Sequence, residues 1–505
     1  MRCYVRDMEQ LVGDPARATT EPPCRTLEEL RDAVVREGNE LFARWQPDIS
    51  REAFEPSALN LAYYIALRRH ELRDLQVELM PWGLSSLGRC EARVLENLDA
   101  VIATARTLVS PGEPRAKHPT AEEFFRGHEL LRLHSDAALG LTLHNRDVRI
   151  MVTLQTEAAA EYPLVRDLVG RGMDIARINC GHDDPDAWIQ MAHHVRRASA
   201  DTGRPCRVHM DISGPRCRTR AISVFTDPPR LHVGDRIAMT ADGGARLPPG
   251  VAASFQCSIP EALAQVQVGH SVWIDEGKLG AIVEAKDDAG VLLHVVRARP
   301  KGERLKADKG LNFPDTKLDL APLTAKDLRD LDVIAREADM IGYSFVQRPH
   351  DIALLQEELA ARLDRIDHIA LVAKIETQLA ISNLPELIIQ GAGRQPMAVM
   401  IARGDLAVEI GPRRLGEIQE ELLWLCEAAH VPVIWATQVL DTFVHKGVHH
   451  RAEMTDAAMA ERAECVMLNK GPYVAEAVSL LDDVLAAMEG HQFKKASRMR
   501  ALRSW

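Results

Sequence analysis

Apolar residues recur every three or four positions through the first part of the chain, to about residue 145. This spacing is typical of amphipathic helices. It is clearest in three stretches: LEELRDAVVREGNELFARW, SALNLAYYIALRRHELRDLQVELM and EARVLENLDAVIATARTLV. No catalytic motif is visible among them. We therefore predict a helical N-terminal domain over residues 1–145.

The pattern changes at Arg149 to short, continuous apolar runs, each followed by a helical stretch. Eight such runs occur: RIMVTL, DIARINC, CRVHMDIS, DMIGYSFV, IALVAKIE, MAVMIARGD, VPVIWATQ and AECVMLNK. The last five begin at positions 339, 369, 397, 431 and 463, so neighbouring runs lie 28 to 34 residues apart. This is the repeat length of a parallel α/β barrel, whose strands are apolar on both faces. We predict an α/β fold with a (β/α)8 TIM barrel over residues 146–218 and 309–490.

The long interval between the third and fourth runs predicts an inserted domain. Residues 219–308 are rich in Gly and Pro and alternate apolar with polar positions, as in HSVWIDEGKLGAIVEAKD. The alternation indicates antiparallel strands and a small inserted β-barrel domain. Because it follows the third barrel strand, we expect it to overhang the active face as a lid. Residues 491–505 form a basic tail, which we interpret as a solvated end.

Polar residues at the ends of the predicted strands are the first candidates for chemistry. In IALVAKIE, alternation places Val372, Lys374 and Glu376 on one face, and the next run leads into Asp405. Two carboxylates suit Mg²⁺ or Mn²⁺, with water and substrate oxygens as the other ligands. A lysine beside such an ion is favourable when an anion lies between them, and phosphate is the obvious anion. The alternative is an internal Lys–Glu pair that only fills the barrel mouth.

Ten segments carry a family resemblance. RINCGH, MDISGPRCRTR, WIDEGK, KGLNFP, SFVQRPHD, AKIETQLAISNL, ARGDLAVEIG, ATQVLDTF, HRAEMTDAAMA and VMLNKG follow the order of the pyruvate kinase signature segments, over about residues 149–480. The combination of AKIE, ARGDL and ATQ is highly specific. The sequence therefore resembles a pyruvate kinase barrel with its β lid. This implies Mg²⁺-dependent transfer of the phosphoryl group of phosphoenolpyruvate to ADP, giving pyruvate and ATP.

The resemblance also implies roles for individual residues. Lys374 would stabilise the phosphoryl group in transfer, Arg177 would bind it, and Glu376 and Asp405 would hold the metal. Thr437 would lie near the enolate face, where its hydroxyl or a water could deliver a proton. These roles are physically coherent, because phosphoryl transfer depends on positioning and charge neutralisation.

A second set of residues is implied for nucleotide binding: Asn179, His182, Arg218, Asp275, Lys309 and Lys470. His182 and Arg218 would approach the nucleotide phosphates. Lys309 would lie at the lid hinge, and Asp275 would be brought in when the lid closes.

The monovalent-cation site of the family is degraded in this sequence. The family uses an Asn, a Ser, an Asp and a Thr, and the matching positions here are Asn179, Gly181, Asp211 and Ile212, so two hydroxyl ligands are missing. A Glu of the family is replaced by Arg216. We expect its guanidinium to supply the missing charge, and we predict activity without added K⁺. The alternative is that Arg216 is a solvated surface side chain.

Two further departures lie near the end of the chain. In VMLNKGPYVAEAV, Asn469 is followed directly by Lys470 and Gly471, which shortens the loop after strand eight by about four residues. That loop helps to cradle nucleotide phosphates in the family, so the acceptor stays open between ADP and another group, and Lys470 either reaches a phosphate or is solvated. The chain ends about 35 residues after VMLNKG. We therefore expect no C-terminal domain for sugar-phosphate regulation.

Composition and charge limit the partners. Lys and Arg total 62 against 73 Asp and Glu, a formal net charge of −11, so no global field attracts nucleic acid or anionic membranes. The nine cysteines form no CxxC pair, the start MRCYVRDMEQ lacks an apolar core, and no apolar run is long enough to span a membrane. We expect a cytoplasmic homo-oligomer without nucleic-acid or membrane partners.

Two other functions remain open from the residues alone. A barrel lyase or aldolase acting on pyruvate-like enolates would use the same lysine, metal and threonine without nucleotide. A catalytically weak regulatory protein would keep the pocket as a phospho-ligand sensor, with residues 1–145 as its interaction module. The retained set of transfer residues favours a phosphotransferase over both.

Overall fold

We describe a computed structural model of the chain over residues 21–84, 86–110, 117–142, 146–241, 247–288 and 290–498. Residues 1–20, for which we predict no secretory signal, lie outside the described residues. So do residues 499–505 of the predicted basic tail.

The chain up to the barrel is helical. Its described α-helices are Cys24–Trp45 (α1), Glu55–Leu67 (α2), Arg73–Leu79 (α3), Val94–Val109 (α4) and Ala121–Leu139 (α5). In α1, the apolar residues Leu27, Leu30, Val34 and Leu41 are buried, so the predicted helical stripe forms the packed face. A capping box between Thr120 and Glu123 begins α5. Short 3₁₀ turns lie at Gln46–Asp48, Glu52–Phe54, Met80–Trp82, Ser86–Arg89, Thr156–Ala159 and Ile366–His368.

The β-strands are numbered in chain order. They are Arg149–Thr153 (β1), Ile175–Asn179 (β2), Arg207–Ile212 (β3), Thr219–Val224 (β4), Arg236–Thr240 (β5), Ala253–Cys257 (β6), Ser271–Ile274 (β7), Leu279–Asp287 (β8), Gly290–Arg297 (β9), Leu311–Asn312 (β10), Met340–Tyr343 (β11), Ala370–Ile375 (β12), Met397–Ala402 (β13), Val433–Ala436 (β14), Cys465–Leu468 (β15), Gln492–Phe493 (β16) and Ala496–Ser497 (β17).

Eight parallel strands close into a barrel in the order β1-β15-β14-β13-β12-β11-β3-β2. Each of the eight predicted apolar runs contains one of these strands, so the predicted fold class is confirmed. Their residues are buried almost throughout, as expected for strands covered on both faces.

Further helices follow the barrel strands and cover the outside. They are Tyr162–Arg171 (α6), Pro185–Thr202 (α7), Ala325–Glu337 (α9), Pro349–Ala360 (α10), Gln378–Ser382 (α11), Leu384–Ala392 (α12), Arg403–Ile410 (α13), Pro412–Ala428 (α14), Asp441–Lys446 (α15), Arg451–Ala460 (α16) and Val474–Glu489 (α17), with Glu261–Gln265 (α8) in the insertion. Across the described ranges, none of the helices has both the length and the apolar character needed to cross a bilayer.

The end of α5 closes the N-terminal opening of the barrel. Leu139 packs into the apolar cluster formed by inward-facing strand residues such as Met151 and Val372. Arginines at the beginnings of two strands hold the helix end. Arg149 Nε donates to the Gly140 carbonyl at 3.0 Å, and Arg207 Nη1 donates to the Ala137 carbonyl at 2.9 Å. The N-terminal helices are thus continuous with the barrel core.

The strands of the insertion and β10, which follows the predicted boundary at 308, form one seven-stranded sheet in the order β10-β7-β8-β9-β5-β6-β4. Its apolar core includes Phe255, Leu293 and Val295. All pairs are antiparallel as predicted, except that β5 and β6 run parallel. A parallel neighbour requires a long connection, and the chain between these strands has that length.

The basic tail is partly docked, which corrects the interpretation of a solvated end. Within its described part, β16 and β17 form a hairpin whose turn carries Lys494 and Lys495. Lys494 is buried and pairs with Glu464, and Lys495 pairs with Glu91. Because both acids are largely buried, the two lysines neutralise charge between the barrel and the N-terminal helices.

Candidate active site

A cavity of about 590 Å³ lies at the C-terminal end of the barrel, with the inserted sheet on one side. Eight predicted site residues line it: Arg177, Asn179, Arg216, Arg218, Lys374, Glu376, Asp405 and Thr437. Most of them reach the cavity because parallel strands bring their carboxyl ends to the same rim, whereas Arg216 and Arg218 lie in the connection from β3 to the inserted sheet.

Lys374 is held at the centre of a charged cluster. Its Nζ donates to Ser344 Oγ at 2.7 Å and lies 3.2 Å from Glu376 Oε1 and 3.8 Å from Asp211 Oδ2. The side chain is largely buried but opens onto the cavity. The predicted Lys–Glu pair therefore exists, and it faces solvent space that a substrate can enter.

Glu376 is a buried carboxylate with two fixed contacts. Its Oε2 accepts a hydrogen bond from the Phe345 backbone at 2.6 Å, and its other oxygen faces Lys374. Burial raises the pKa of Glu376, Lys374 opposes that rise, and the negative charge of Asp405 adds to it. The two acids are thus close enough to interact electrostatically.

Asp405 carries an arginine directly on its carboxylate. Arg216 Nη2 lies 2.5 Å from Asp405 Oδ1, and the guanidinium stacks over the Phe345 ring at 5.5 Å. Only 27% of the Arg216 side chain is exposed. This geometry disagrees with the solvated alternative for Arg216 and places its charge beside a predicted metal ligand.

The donor set fits a divalent cation that is shared with a substrate. Glu376 and Asp405 offer carboxylate oxygens, the ligand type that Mg²⁺ and Mn²⁺ prefer. In the described part of the chain, no group of three or more His, Cys, Asp or Glu side chains could hold a metal. A divalent cation between these two acids would take its other ligands from water and substrate oxygens.

Asp211 is a buried carboxylate that contacts the side chains of Arg177 and His209. Arg177 Nε donates to its Oδ2 at 2.6 Å, and His209 Nε2 lies 2.8 Å from its Oδ1. Burial alone would raise the pKa of Asp211, but Arg177, Lys374 and His209 lower it well below its usual range. Gly342 leaves room for this carboxylate, because a Cβ there would lie 1.8 Å from Oδ1. The sequence did not single out His209.

A hydroxyl that was not predicted lies near Asn179 and Gly181, two residues of the predicted monovalent-cation site. Asn179 Oδ1 accepts a hydrogen bond from the Gly181 backbone at 3.0 Å. A Cβ built on Gly181 would lie 3.1 Å from that oxygen and 3.4 Å from Ser213 Oγ. Ile212 also lines the cavity. Ser213 thus brings a hydroxyl close to the position where the family's serine is replaced by glycine.

Thr437 occupies a constrained turn. Its φ is +67° and that of Gln438 is +59°, in the left-handed region that side chains disfavour. The turn is held by Arg403 Nη2, which donates to the Thr437 carbonyl at 2.6 Å. The Gly404 amide donates to Thr437 Oγ1 at 2.8 Å. These bonds direct the hydroxyl into the cavity.

Two predicted nucleotide residues line a smaller neighbouring cavity. His182 and Lys470 border a space of about 210 Å³, and Arg177 and Asn179 border both cavities. Burial lowers the pKa of His182, and the nearby charge of Lys470 lowers it further. The two residues are therefore brought together beside the main site.

Asp275 and Lys309 lie at the base of the inserted sheet and contact each other. Their Oδ1 and Nζ atoms are 3.3 Å apart, and neither residue lines the two cavities described above. Arg218, in contrast, faces the main cavity and donates from Nη1 to the Asp308 carbonyl at 3.1 Å. The structure thus separates Asp275 and Lys309 from the rest of the predicted nucleotide set.

Several lining residues were not predicted: Trp273, Glu276, Gly277, Arg297, Ser344, Phe345 and Asn469. Four of them come from the insertion. Trp273, Glu276 and Gly277 belong to the WIDEGK segment, so that motif could have pointed to them.

Comparison with known proteins decides the family. The family model described as the pyruvate kinase barrel domain matches residues 145–478. The chain belongs to the pyruvate kinase family. Predicted membership is thereby confirmed, and the kinase class of enzyme is supported over the lyase and the sensor. The helices before residue 145 precede the matched region.

Relatives named pyruvate kinase give the same result. The protein of Agrobacterium vitis is 32% identical over 361 residues, covering 69% of this chain and 71% of the relative. That of Geobacillus stearothermophilus is 31% identical over 352 residues, covering 68% of this chain and 57% of the relative. That of Mycobacterium tuberculosis H37Rv is 31% identical over 334 residues, covering 65% of this chain and 67% of the relative.

Proposed function

We propose that this chain transfers the phosphoryl group of phosphoenolpyruvate to a nucleoside diphosphate, with ADP as the first choice, giving pyruvate and ATP. One observation carries the proposal. The Lys374 ammonium contacts Glu376 and Asp211 and opens onto the same cavity as Asp405 and Thr437. A cation, two acids suited to bind a divalent metal and a hydroxyl thus line one substrate-sized space.

The proposed reaction exchanges one P–O bond for another. The bond between phosphorus and the enol oxygen breaks, and a bond forms between phosphorus and a terminal oxygen of the nucleoside diphosphate. Lys374 and Arg177 offset the negative charge of the group in transfer. The enolate that remains takes a proton at its methylene carbon, and the Thr437 hydroxyl, or a water that it holds, supplies that proton.

Glu376 and Asp405 are the proposed ligands of Mg²⁺ or Mn²⁺. When bound, the divalent ion neutralises and orients the phosphate oxygens. Arg216 contributes a permanent positive charge next to Asp405. We propose that this charge replaces the monovalent cation, so that turnover does not require K⁺.

Nucleotide phosphates are proposed to lie between the two cavities. His182 and Lys470 face them from the smaller cavity, and Arg218 faces them from the larger one. Asp275 and Lys309 contact each other. They join the nucleotide only when the inserted sheet moves toward the barrel, which makes that sheet a lid.

The organisation of the molecule is also part of the proposal. We propose a helical domain at 1–145, a catalytic barrel at 146–218 and 309–490, a lid at 219–308 and a tail at 491–505. The protein is proposed to be a cytoplasmic homo-oligomer without nucleic-acid or membrane partners.

A coupled assay of pyruvate formation tests the function. Wild-type protein is given phosphoenolpyruvate and Mg²⁺ with ADP, with GDP or without nucleotide, each with and without K⁺. We expect nucleotide-dependent pyruvate formation, and a loss on the order of a hundredfold or more in Lys374→Met, because the transferred charge is then unopposed. Lys117→Met, which alters an exposed lysine remote in sequence from the barrel, is the matched control.

Two outcomes would contradict the proposal. Proton exchange at the methyl group of pyruvate with no phosphoryl transfer to any nucleotide would indicate a lyase. Stabilisation by phosphoenolpyruvate with negligible turnover would indicate a regulatory protein.

A further inference from the structure

A histidine lies inside the barrel, beneath the charged cluster of the candidate site. His209 belongs to β3, and its neighbours Val208 and Met210 pack in the apolar layer outside the barrel. Because side chains alternate along a strand, His209 and Asp211 both point into the barrel. His209 is fully buried, and Met340, its partner on β11, belongs to the apolar cluster of the interior. The imidazole therefore lies between that apolar cluster and the charged residues above it.

In the described part of the chain, the imidazole makes a single hydrogen bond, to Asp211. Its Nε2 is 2.8 Å from Asp211 Oδ1. The carboxylate can only accept, so Nε2 carries the proton and donates the bond. The other ring nitrogen, Nδ1, is buried and has no hydrogen-bond partner among the described residues. A ring that leaves a buried nitrogen unsatisfied costs stability relative to an apolar side chain. The bond to Asp211 is thus the contact that an aliphatic residue could not replace.

The backbone of β11 leaves room for this pair. Gly342 is the register partner of Asp211 on β11. A Cβ on Gly342 would lie 1.8 Å from Asp211 Oδ1 and 2.6 Å from His209 Nε2. A side chain at this position would collide with both groups. The glycine therefore allows the imidazole and the carboxylate to approach to hydrogen-bond distance.

Asp211 uses its two oxygens for different partners. Oδ1 accepts from His209, whereas Oδ2 accepts from Arg177 Nε at 2.6 Å. Arg177 also donates from Nη1 to Thr153 Oγ1 at 2.9 Å and lines the cavity that contains Lys374. Rotation of an aspartate carboxylate about its Cβ–Cγ bond is only weakly restricted, and a hydrogen bond on Oδ1 restrains it. The bond from His209 therefore fixes the direction in which Oδ2 holds the guanidinium.

We infer that His209 is a positioning residue, which orients Asp211 and through it holds Arg177 in place to bind the transferred phosphoryl group. The inference rests on the proposed function and adds a residue outside the walls of the cavity. Displacement of a positioned group by about 1 Å can cost about a hundredfold in rate. Loss of the His209 bond is expected to cost less, about tenfold, because Thr153 and Asp211 still contact the guanidinium.

Two substitutions with opposite expected results test the inference. His209→Leu removes the donor and should lower kcat/KM for phosphoenolpyruvate about tenfold. His209→Gln places an amide nitrogen where Nε2 was, so it should stay within about threefold of wild type. His193→Leu is the matched control, because His193 lies on the outer helix α7 with 55% of its side chain exposed.

Thermal unfolding establishes that each variant is folded. If His209→Leu does not fold, His209→Met serves the same comparison, because its flexible side chain fills irregular space.

A double-mutant cycle separates positioning from a general effect on packing. His209→Leu should cost less than about twofold in an Arg177→Lys background, because the contact that His209 positions is already weakened there. The same tenfold loss in both backgrounds would show that the two residues act independently, and would overturn the inference. So would wild-type activity in His209→Leu, or a loss in His209→Gln equal to that in His209→Leu.

Calorimetric titration with phosphoenolpyruvate and Mg²⁺, without nucleotide, separates this inference from the proposed function. Absence of phosphoryl transfer by the wild-type protein would refute the proposed function alone. In that case, about tenfold weaker binding of phosphoenolpyruvate by His209→Leu than by wild type and His209→Gln would still support the positioning role. Equal affinities of all three proteins, or no binding by wild type, would overturn it.

Discussion

Arg216 and Asp405 form an ion pair at the mouth of the barrel, with Nη2 2.5 Å from Oδ1. The family resemblance implies a glutamate at the position of Arg216, so the charge beside the proposed metal ligand Asp405 is reversed. A guanidinium stays protonated throughout the physiological pH range. The site therefore contains a built-in cation that neither dilution nor ion exchange can remove.

Reversal of that charge should create a requirement for K⁺. We expect wild-type activity to be equal in K⁺ and in tetramethylammonium buffers. Arg216→Glu should lose about tenfold or more in kcat without K⁺ and recover partly when K⁺ is added, because a carboxylate next to Asp405 needs a counter-ion. Initial rates across a K⁺ titration measure this, with Arg220→Glu on the exposed face of β4 as control. A strict K⁺ requirement in wild type would refute the proposal that Arg216 replaces the monovalent cation.

Neutralising either proposed metal ligand should weaken the response to metal. Glu376→Gln and Asp405→Asn keep the side-chain size but remove a charged oxygen donor, so the Mg²⁺ concentration for half-maximal rate should rise about tenfold or more. Treatment with EDTA should abolish wild-type activity, and added Mg²⁺ or Mn²⁺ should restore it. Glu417→Gln, at an exposed position of α14, should behave like wild type. Full activity after metal removal would argue against two-acid metal binding.

Arg403 is predicted to act on catalysis by positioning Thr437. It donates to the Thr437 carbonyl, stacks on Trp435 at 4.6 Å and is anchored by Asp456. Arg403→Lys keeps the charge but cannot make all of these contacts, so the threonine turn should relax. We expect kcat to fall about tenfold while the KM for phosphoenolpyruvate changes less than threefold.

The exposed Arg413→Lys is the control for this substitution. Proton exchange into pyruvate should slow in parallel with kcat, because the positioned group serves proton delivery. A change in thermal stability with unaltered exchange would instead assign Arg403 a purely structural role.

Low pH should destabilise the interface between the N-terminal helices and the barrel. His430 is fully buried there, with Nδ1 2.9 Å from Ser57 Oγ and Nε2 2.9 Å from the Ala92 carbonyl. Burial is the main cause that lowers its pKa from 6.5 to about 4; the Ala92 carbonyl opposes this shift, and His134 and His128 add to it. The unfolded chain therefore binds the proton more readily, so stability is complete above about pH 6.5 and falls as the pH drops toward 4.

The size of this effect follows from the shift in pKa. Between pH 8 and pH 5, the free energy of unfolding of wild type should fall by about 2 kcal/mol more than that of His430→Gln. The reason is that, over the roughly 1.5 pH units below pH 6.5, His430 takes up a proton in the unfolded chain but not in the folded protein. Urea unfolding at both pH values measures the difference. His450→Gln, at an exposed position, should follow wild type. Parallel pH profiles for wild type and His430→Gln would contradict the prediction.

The barrel strands could be predicted because each is a continuous apolar run at a regular interval, a pattern that burial on both faces imposes. Alternation along IALVAKIE was sufficient to bring Lys374 and Glu376 to one face. Other contacts depend on which strands become neighbours. The bond between Arg177 and Asp211 follows from β2 lying beside β3, a register that no single segment reveals.

The way in which α5 and the C-terminal tail pack against the barrel also could not be predicted. The stripe on α5 indicates a helix, but its position against the barrel opening depends on Arg149 and Arg207, which are distant in sequence from most of it. In the same way, the sequence indicates a solvated lysine at position 494, whereas the structure pairs Lys494 with the largely buried Glu464. Trp273 was missed because a half-buried aromatic residue in an alternating strand usually belongs to a core.

The helix end that seals the base of the barrel has a consequence for protein engineering. Removing residues 1–145 would strip Leu139 from the bottom of the strand cylinder and leave a water-accessible hole beneath it. We therefore expect a shortened protein that starts at the first barrel strand to aggregate.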